Sequence, residues 1–79
     1  MAKELTAEEG ARALLNIYKA NGIKAGEGLI MSSVSEKFYD DGGSVKEFNQ
    51  AIEYMVQHKW VENGGANFML ITDAGYAAI

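Results

Sequence analysis

The spacing of apolar residues changes near His58 and Lys59, and this change constrains the fold more than any other feature of the 79-residue chain. Before it, over residues 44–57, apolar residues recur every three or four positions, which is the period of an amphipathic helix. After it, two runs rich in β-forming residues, 60–62 and 67–71, flank a turn-forming centre at 63–66. A helix followed by a hairpin predicts an α+β fold.

The helix over residues 44–57 has the clearest start in the chain. Ser44 and Glu47 have the spacing of a capping box, in which each side chain bonds to the main-chain N–H of the other. The apolar stripe that follows is expected to face the interior, and it consists of Val45, Phe48, Ile52, Met55 and Val56. The outward face then carries Lys46, Glu47, Gln50, Glu53, Tyr54 and Gln57.

Two further helices are predicted in the first half of the chain. Thr6 and Glu9 form another capping box, and the helix that begins there should end at residues 21–22, where glycine follows asparagine. Residues 23–25 are expected to form a short bridge strand. The second helix should begin near Leu29 and end at the double aspartate and double glycine of residues 40–43.

These elements predict one hydrophobic core, because a short hairpin is marginal until it packs against helices. The hairpin should bury its large apolar side chains against the helical stripes. The expected core consists of Leu14, Tyr18, Ile30, Val34, Phe48, Ile52, Met55, Trp60, Phe68 and Leu70. A final short helical turn, capped by Thr72 or Asp73, should carry Tyr76 and Ile79.

The order of elements resembles the winged-helix family of helix-turn-helix domains over essentially the whole chain. The hairpin and its exit, Trp60 to Glu62 and then Leu70 to Gly75, are similar to the "L-T-x-x-G" exit of many winged-helix transcription regulators, with Ile71 inserted between the leucine and Thr72. The resemblance implies an α+β fold of order α-β-α-α-β-β, with a three-helix core and a C-terminal hairpin as the wing.

The resemblance also implies double-stranded DNA as the ligand, since DNA-binding members lay the third helix into the major groove. The side chains that would then contact DNA lie on that helix and at the wing tip. They are Lys46, Gln50, Tyr54, Gln57, Asn63 and Asn67.

Charge favours a different ligand. The formal net charge is −4, residues 60–79 contain no lysine or arginine, and the single arginine, Arg12, lies on the first helix. DNA-binding surfaces normally neutralise several phosphates. The alternative is therefore a protein-interaction module or homodimer that uses the same face. Tyr54 would anchor that interface, stack on a base in the DNA interpretation, or simply lie over a neighbouring side chain.

Composition excludes several other functions. The chain has no cysteine and one histidine, which argues against a disulfide framework and a structural zinc site. A chain of this size buries only about 60 to 65% of its unfolded surface, which leaves no deep catalytic cavity. We expect a single domain over residues 1–79 that is not an enzyme and uses no cofactor, metal or small-molecule substrate. Without an apolar N-terminal stretch, a cytoplasmic protein with no membrane partner is expected.

Overall fold

The structure is a computed structural model that describes residues 4–79 as four helices and a three-stranded antiparallel sheet. The α+β class expected from the sequence is thereby confirmed. The strands lie in the order β1-β3-β2, so the last strand is central. The elements in chain order are α1 (Ala7–Ala20), β1 (Gly28–Ile30), α2 (Met31–Asp40), α3 (Val45–Gln57), β2 (Val61–Gly65), β3 (Phe68–Ile71) and α4 (Asp73–Ala77).

Helix α1 begins and ends where its sequence signals predict. The Thr6 hydroxyl accepts from the N–H of Glu9 at 3.1 Å, and the Glu9 carboxylate accepts from the N–H of Thr6 at 2.9 Å. This reciprocal cap satisfies two main-chain donors that the first turn leaves free. Gly22 takes a positive φ of 68° just beyond the helix, a conformation that glycine adopts without steric cost.

The strand after α1 lies further along the chain than predicted. The expected strand at residues 23–25 is wrong, because β1 spans Gly28–Ile30 and pairs with β3. Main-chain bonds extend this pairing, since Gly26 N–H donates to the Ile71 carbonyl at 2.9 Å and Ile71 N–H donates to the Glu27 carbonyl at 2.8 Å. A Cβ at position 28 would meet the main-chain oxygen of Met69. The glycine therefore permits close strand pairing rather than merely delaying a helix.

Helix α2 consequently starts at Met31, two residues later than expected, and has no side-chain cap. Val34 points inward as predicted, at 1% exposure, and Phe38, which the expected core does not include, is also buried, at 3% exposure. The helix ends at Asp40, and Gly42 adopts a φ of 99° in the turn that follows. The double glycine therefore breaks the helix through local backbone freedom, as the sequence indicates.

Helix α3 packs most closely against α1 through small residues. Its capping box forms as predicted, with Ser44 Oγ accepting from Glu47 N–H at 3.1 Å. Where the two helices meet, a Cβ added to Gly10 would lie 3.0 Å from the Cβ of Ala51. Ala51 is fully buried and Met55 is 1% exposed. The contact between Gly10 and Ala51 thus sets which side of α3 turns toward the core.

The predicted hairpin is present and is irregular near its tip. Strands β2 and β3 pair Val61 with Ile71 and Asn63 with Met69, and a bulge shifts the register between Asn63 and Gly65. Gly65 has a φ of 134° and the adjacent loop is closed by Asn67 at φ 57°. Glycine and asparagine are the residue types that tolerate such angles. The hairpin is confirmed, but its turn lies at residues 66–67 and not at 63–66, because β2 extends through Gly65.

The expected core is only partly correct. Leu14, Tyr18, Val34 and Met55 are at most 1% exposed, and Phe48, Ile52 and Trp60 are half-buried against the core. Ile30 was wrongly placed there and is 52% exposed. The sequence prediction also omitted several buried residues, namely Ala11, Leu15, Ile17, Phe38, Ala51, Val61 and Ile71.

Phe68 and Leu70 also differ from their expected positions. Alternation along β3 points Met69 and Ile71 toward the helices, whereas Phe68 and Leu70 project from the opposite face of the sheet. There a Cβ at Gly28 would lie 2.8 Å from Phe68 Cε2, and a Cβ at Gly64 would lie 2.8 Å from Leu70 Cγ. The two side chains therefore cover the glycines that flank β3 instead of packing under the helices.

The chain ends in the short helix α4, which the sequence predicts as a last capped turn. Thr72 is its cap, accepting through Oγ1 from the N–H of Gly75 at 3.1 Å. Tyr76 is 49% exposed and Ile79 is 38% exposed. Within residues 4–79, no helix combines the length and hydrophobicity that crossing a membrane requires.

Candidate interaction surface

The exposed face of α3 differs from the face predicted by its stripe. The buried row runs through Glu47, Ala51 and Met55, which are spaced by one helical turn. Val45 and Val56, expected inside, are instead 62% and 50% exposed. At 100° per residue these two valines lie about 20° apart on the helix, so they form one apolar line on its outer side.

Glu47 was expected to face solvent and is instead 8% exposed. Its carboxylate accepts hydrogen bonds from the N–H of Leu5 at 2.6 Å and from the N–H of Ser44 at 2.9 Å. The Leu5 main-chain bond is the main cause that lowers the Glu47 pKa, followed by the bonds to Ser44, while burial opposes the shift. Glu47 thus links the segment before α1 to the start of α3, and it does not belong to the outward face of α3.

Lys46 is exposed as predicted, but its ammonium lies 3.5 Å from the carboxylate of Glu4. Both side chains are more than half exposed, so the pair is weak and can be displaced by a ligand. Lys46 is the only cation within α3, which also carries Glu47 and Glu53. The helix therefore offers a phosphate backbone little net attraction.

Tyr54 packs on the protein itself. Its ring stacks on His58 with centroids 4.1 Å apart at 28°, and it meets the ring of Trp60 edge to face at 5.3 Å and 68°. Arg12 lies 5.5 Å from the Trp60 ring centroid and extends the cluster toward α1. Of the three alternatives for Tyr54, the structure contains the one in which it lies over neighbouring side chains.

The predicted contact residues separate into two groups. Gln50, Tyr54 and Gln57 share a shallow depression of about 330 Å³ with Ala7 and Glu53, between α1 and α3. Asn63 and Asn67 line a different groove at the hairpin. Lys46 lines neither. The structure thus does not bring the six predicted residues together at one pocket.

Each hairpin asparagine has a role in the turn. Asn63 Oδ1 accepts from the N–H of Gly65 at 2.9 Å, which holds the bulge. The Asn67 carbonyl accepts from the N–H of Met31 at 2.6 Å and joins the turn to the start of α2. The side-chain bond favours asparagine at position 63, and the positive φ of 57° favours it at position 67, in both cases without any ligand.

A wide depression lies between the end of α3 and the hairpin, and we call it the hairpin groove. It has a volume of about 570 Å³. Within the described residues, Glu62 is its only charged lining side chain. The groove is lined by Met31, Val56, Val61, Glu62, Asn63, Gly65, Asn67, Phe68 and Met69.

Apolar surface continues from this groove onto the sheet. Phe68 lines the groove and pairs with Ile30 across β1 and β3 on the outer sheet face. The sequence did not predict that Val45, Val56 and Ile30 are exposed. Each of them lies at the side of an apolar pattern that the sequence assigns to the core. The signal that could have placed the two valines is the pair of small residues Gly10 and Ala51, which marks the closest helix contact.

The structure brings together no group with evident catalytic geometry at this surface. His58 stacks on Tyr54, and across residues 4–79 no three potential metal-ligating side chains are grouped to hold an ion. The chemistry available at the hairpin groove is therefore apolar contact, amide hydrogen bonding and one carboxylate.

Comparisons with known proteins identify no relative. No protein-family model matches the chain, and searches of curated proteins and of solved structures find no significant match.

Proposed function

We propose that the chain is a winged-helix module that binds a protein partner through the hairpin groove and the adjacent exposed side of α3. The winged-helix part is supported by the element order α1-β1-α2-α3-β2-β3, which is the order that the sequence resemblance implies, and by a sheet in which the hairpin strand β3 also pairs with β1. The proposal concerns binding without catalysis.

The observation that carries the choice of ligand is the apolar lining of the hairpin groove. Val56 lies at its α3 side at 50% exposure, and Met31, Phe68 and Met69 contribute further apolar surface. Exposed apolar surface with a polar rim is typical of protein interfaces. A phosphate in the groove would be repelled by Glu62, and no lining residue carries a positive charge that could attract it.

Duplex DNA is the second candidate, favoured by the resemblance and by the polar outer turns of α3. Gln57 and Asn49 are exposed, and their amides have the donor and acceptor groups that read adenine edges. Lys46 would have to exchange its partner Glu4 for a phosphate. We place this candidate second because Glu53 and Glu62 oppose the approach of a polyanion.

Photo-crosslinking tests the ligand class directly. Benzoylphenylalanine is introduced at Val56, or at exposed Asn16 on α1 as the matched control, and each protein is irradiated in a cell extract. We expect an adduct from position 56 whose mobility on a denaturing gel is unchanged by nuclease, and little adduct from position 16. A nuclease-sensitive adduct at position 56 would transfer the assignment to DNA or RNA.

A titration of fluorescent duplex DNA of mixed sequence supplies the complementary measurement. We expect no rise in anisotropy even at about 50 mM salt, where phosphate contacts are strongest. If binding is seen and Lys46→Ala reduces the slope of log affinity against log salt by about one unit, DNA is the ligand. Asn16→Ala, which leaves every charge in place, is the control.

A further inference from the structure

The outer side of α3 carries a line of residues that recur every three or four positions, and we call it the α3 stripe. At 100° per residue, an arc of about 60° on this helix contains Val45, Asn49, Ile52 and Val56. Three of these side chains are exposed, and Ile52 is half-buried. A spacing of this kind is the pattern by which one helix packs along another. The α3 stripe therefore has the form of a helix-packing surface.

One flank of the α3 stripe carries two exposed side chains of opposite charge, Lys46 and Glu53. Both lie on the same side, about 70 to 90° from the centre of the stripe. About 10 Å of helix separates them, so they do not meet within one chain. Lys46 forms only an exposed ion pair with Glu4, and the ion pairs found within residues 4–79 do not include Glu53. Both charges are therefore accessible to a second protein.

A second α3 packed antiparallel would match this pattern with itself. In such a pair, a twofold axis near Gln50 places Val45 of one copy opposite Val56 of the other. Side chains on the same flank then meet, so Lys46 of each copy lies opposite Glu53 of the other. A parallel pair would instead bring Lys46 against Lys46, which is repulsive. The charges therefore favour an antiparallel pair of copies.

The α3 stripe is continuous with the hairpin groove at one end. Val56 belongs to both, and Met31 and Phe68 extend the apolar surface beyond it. In the antiparallel arrangement, Val45 of the second copy approaches Val56 at this end. The groove would thus receive the start of the second α3, and the 62% exposed Val45 would be covered in the same interface.

We infer that the protein partner is a second copy of this chain, docked by antiparallel packing of the two α3 stripes. Apolar contacts hold the helices together, and the two reciprocal pairs of Lys46 with Glu53 set their direction. The net charge of −4 opposes association, so the dimer is weak, with a dissociation constant of about 1 to 100 µM. The inference rests on the proposed protein-binding function and names the partner.

Sedimentation equilibrium of the purified chain, at concentrations from about 5 to 500 µM, measures the association. At about 150 mM salt, repulsion between the net charges is screened beyond about 8 Å. We expect the average mass to rise from one chain to two. Val56→Gln should weaken the dimer by about tenfold or more. Tyr76→Gln on α4 is the matched control, because Tyr76 is 49% and Val56 50% exposed, and it should leave association unchanged. A chain that stays monomeric throughout overturns the inference.

Charge reversal tests the antiparallel pairing. Lys46→Glu and Glu53→Lys should each weaken the dimer by about tenfold, because each places two like-charged pairs across the interface. The double variant restores opposite charges and should associate within about threefold of the original chain. Since positions 46 and 53 do not meet within one chain, such a recovery reports contact between copies. A double variant as weak as the single ones overturns the antiparallel arrangement.

A covalent test is possible because the chain has no cysteine. Asn49 lies close to the expected twofold axis, so Asn49→Cys should form a disulfide-linked dimer under mild oxidation. Asn16→Cys, at an exposed site on α1, is the matched control and should remain monomeric. Equal crosslinking at the two positions would contradict the inference. This measurement also decides the question if Val56→Gln fails to fold, which circular dichroism checks.

The photo-crosslink from position 56 separates this inference from the proposed function. A second copy gives an adduct with the mass of two chains. If the adduct in extract is unchanged by nuclease but has another mass, and the purified chain stays monomeric, the second-copy inference fails and the proposed function stands. A nuclease-sensitive adduct overturns the proposed function and the inference that rests on it.

Discussion

The hydroxyl of Tyr18 donates a 2.9 Å hydrogen bond to the carbonyl of Met69. Tyr18 is 1% exposed, and its partner lies on the central strand of the sheet. The bond therefore links α1 to β3 and positions the sheet that forms one wall of the hairpin groove. Burial raises the pKa of Tyr18 to about 12, because the charged phenolate would lose its hydration.

Tyr18→Phe should lower the free energy of unfolding by about 1 kcal/mol, since the Met69 carbonyl loses a buried donor. Urea denaturation at pH 7 measures the change. Tyr76→Phe is the matched control because Tyr76 is 49% exposed, and it should change stability by less than about 0.5 kcal/mol. Equal effects of the two substitutions would show that the bond contributes nothing specific.

The contribution of Tyr18 to stability should also appear in unfolding experiments at alkaline pH, because its pKa differs between the folded and the unfolded chain. The folded-state pKa of Tyr18 is raised above the value of 10.0 expected in the unfolded chain. Its contribution to the free energy of unfolding is therefore complete below pH 10 and is lost as pH rises toward about 12. We expect unfolding free energies measured over this range to fall more steeply for the original chain than for Tyr18→Phe. Parallel curves would contradict the assignment.

Glu47→Gln should destabilise the fold at neutral pH, because the amide is a weaker acceptor for the N–H groups of Leu5 and Ser44. The folded-state pKa of Glu47 is lowered from 4.5, so its contribution is present above that value and is lost as pH falls through the lowered pKa. As pH is lowered from 7 to 3, the melting temperatures of the original chain and of Glu47→Gln should converge. Glu36→Gln, at an exposed site on α2, should melt almost as the original chain does at pH 7.

The two glycines beneath the outer sheet face should differ in their tolerance of a methyl group. Gly28→Ala would push Cβ against the main-chain oxygen of Met69, which cannot move without disturbing the β1–β3 pairing. The three atoms nearest to a Cβ at position 64 belong to the side chains of Leu70 and Phe68, which can rotate away. We expect losses of about 3 and about 1 kcal/mol respectively in urea denaturation. The opposite order would contradict the strand arrangement.

Tyr54→Ala should lower stability by about 2 kcal/mol, because it removes contacts with both His58 and Trp60. Trp60 is the only tryptophan, so its fluorescence reports unfolding and should also change in the folded state. Gln57→Ala, one turn away on the exposed surface, is the control and should stay within about 0.5 kcal/mol. If Tyr54→Ala changes stability as little as the control does, the ring is free to act as a binding anchor.

Local signals in the sequence predicted most of the elements correctly. The capping boxes at Thr6 and Ser44, the glycine break at residues 42–43 and the hairpin all depend on residues close together in the chain. The exception is β1, which was expected at residues 23–25. Its location depends on pairing with β3, 38 to 42 residues later, and three residues carry too little pattern to reveal that pairing.

The sequence alone determined where the helices and the hairpin form, because capping, backbone freedom and residue spacing act over a few positions. Tertiary structure decided which apolar side chains are buried. The contact of Gly10 with Ala51 turns Val45 and Val56 outward and Glu47 inward, although both flanks of α3 carry apolar residues. Residues 68–71 are all apolar, so only packing against the helices could select Met69 and Ile71 for the inner face. The proposed binding surface consists largely of the side chains that this choice left exposed.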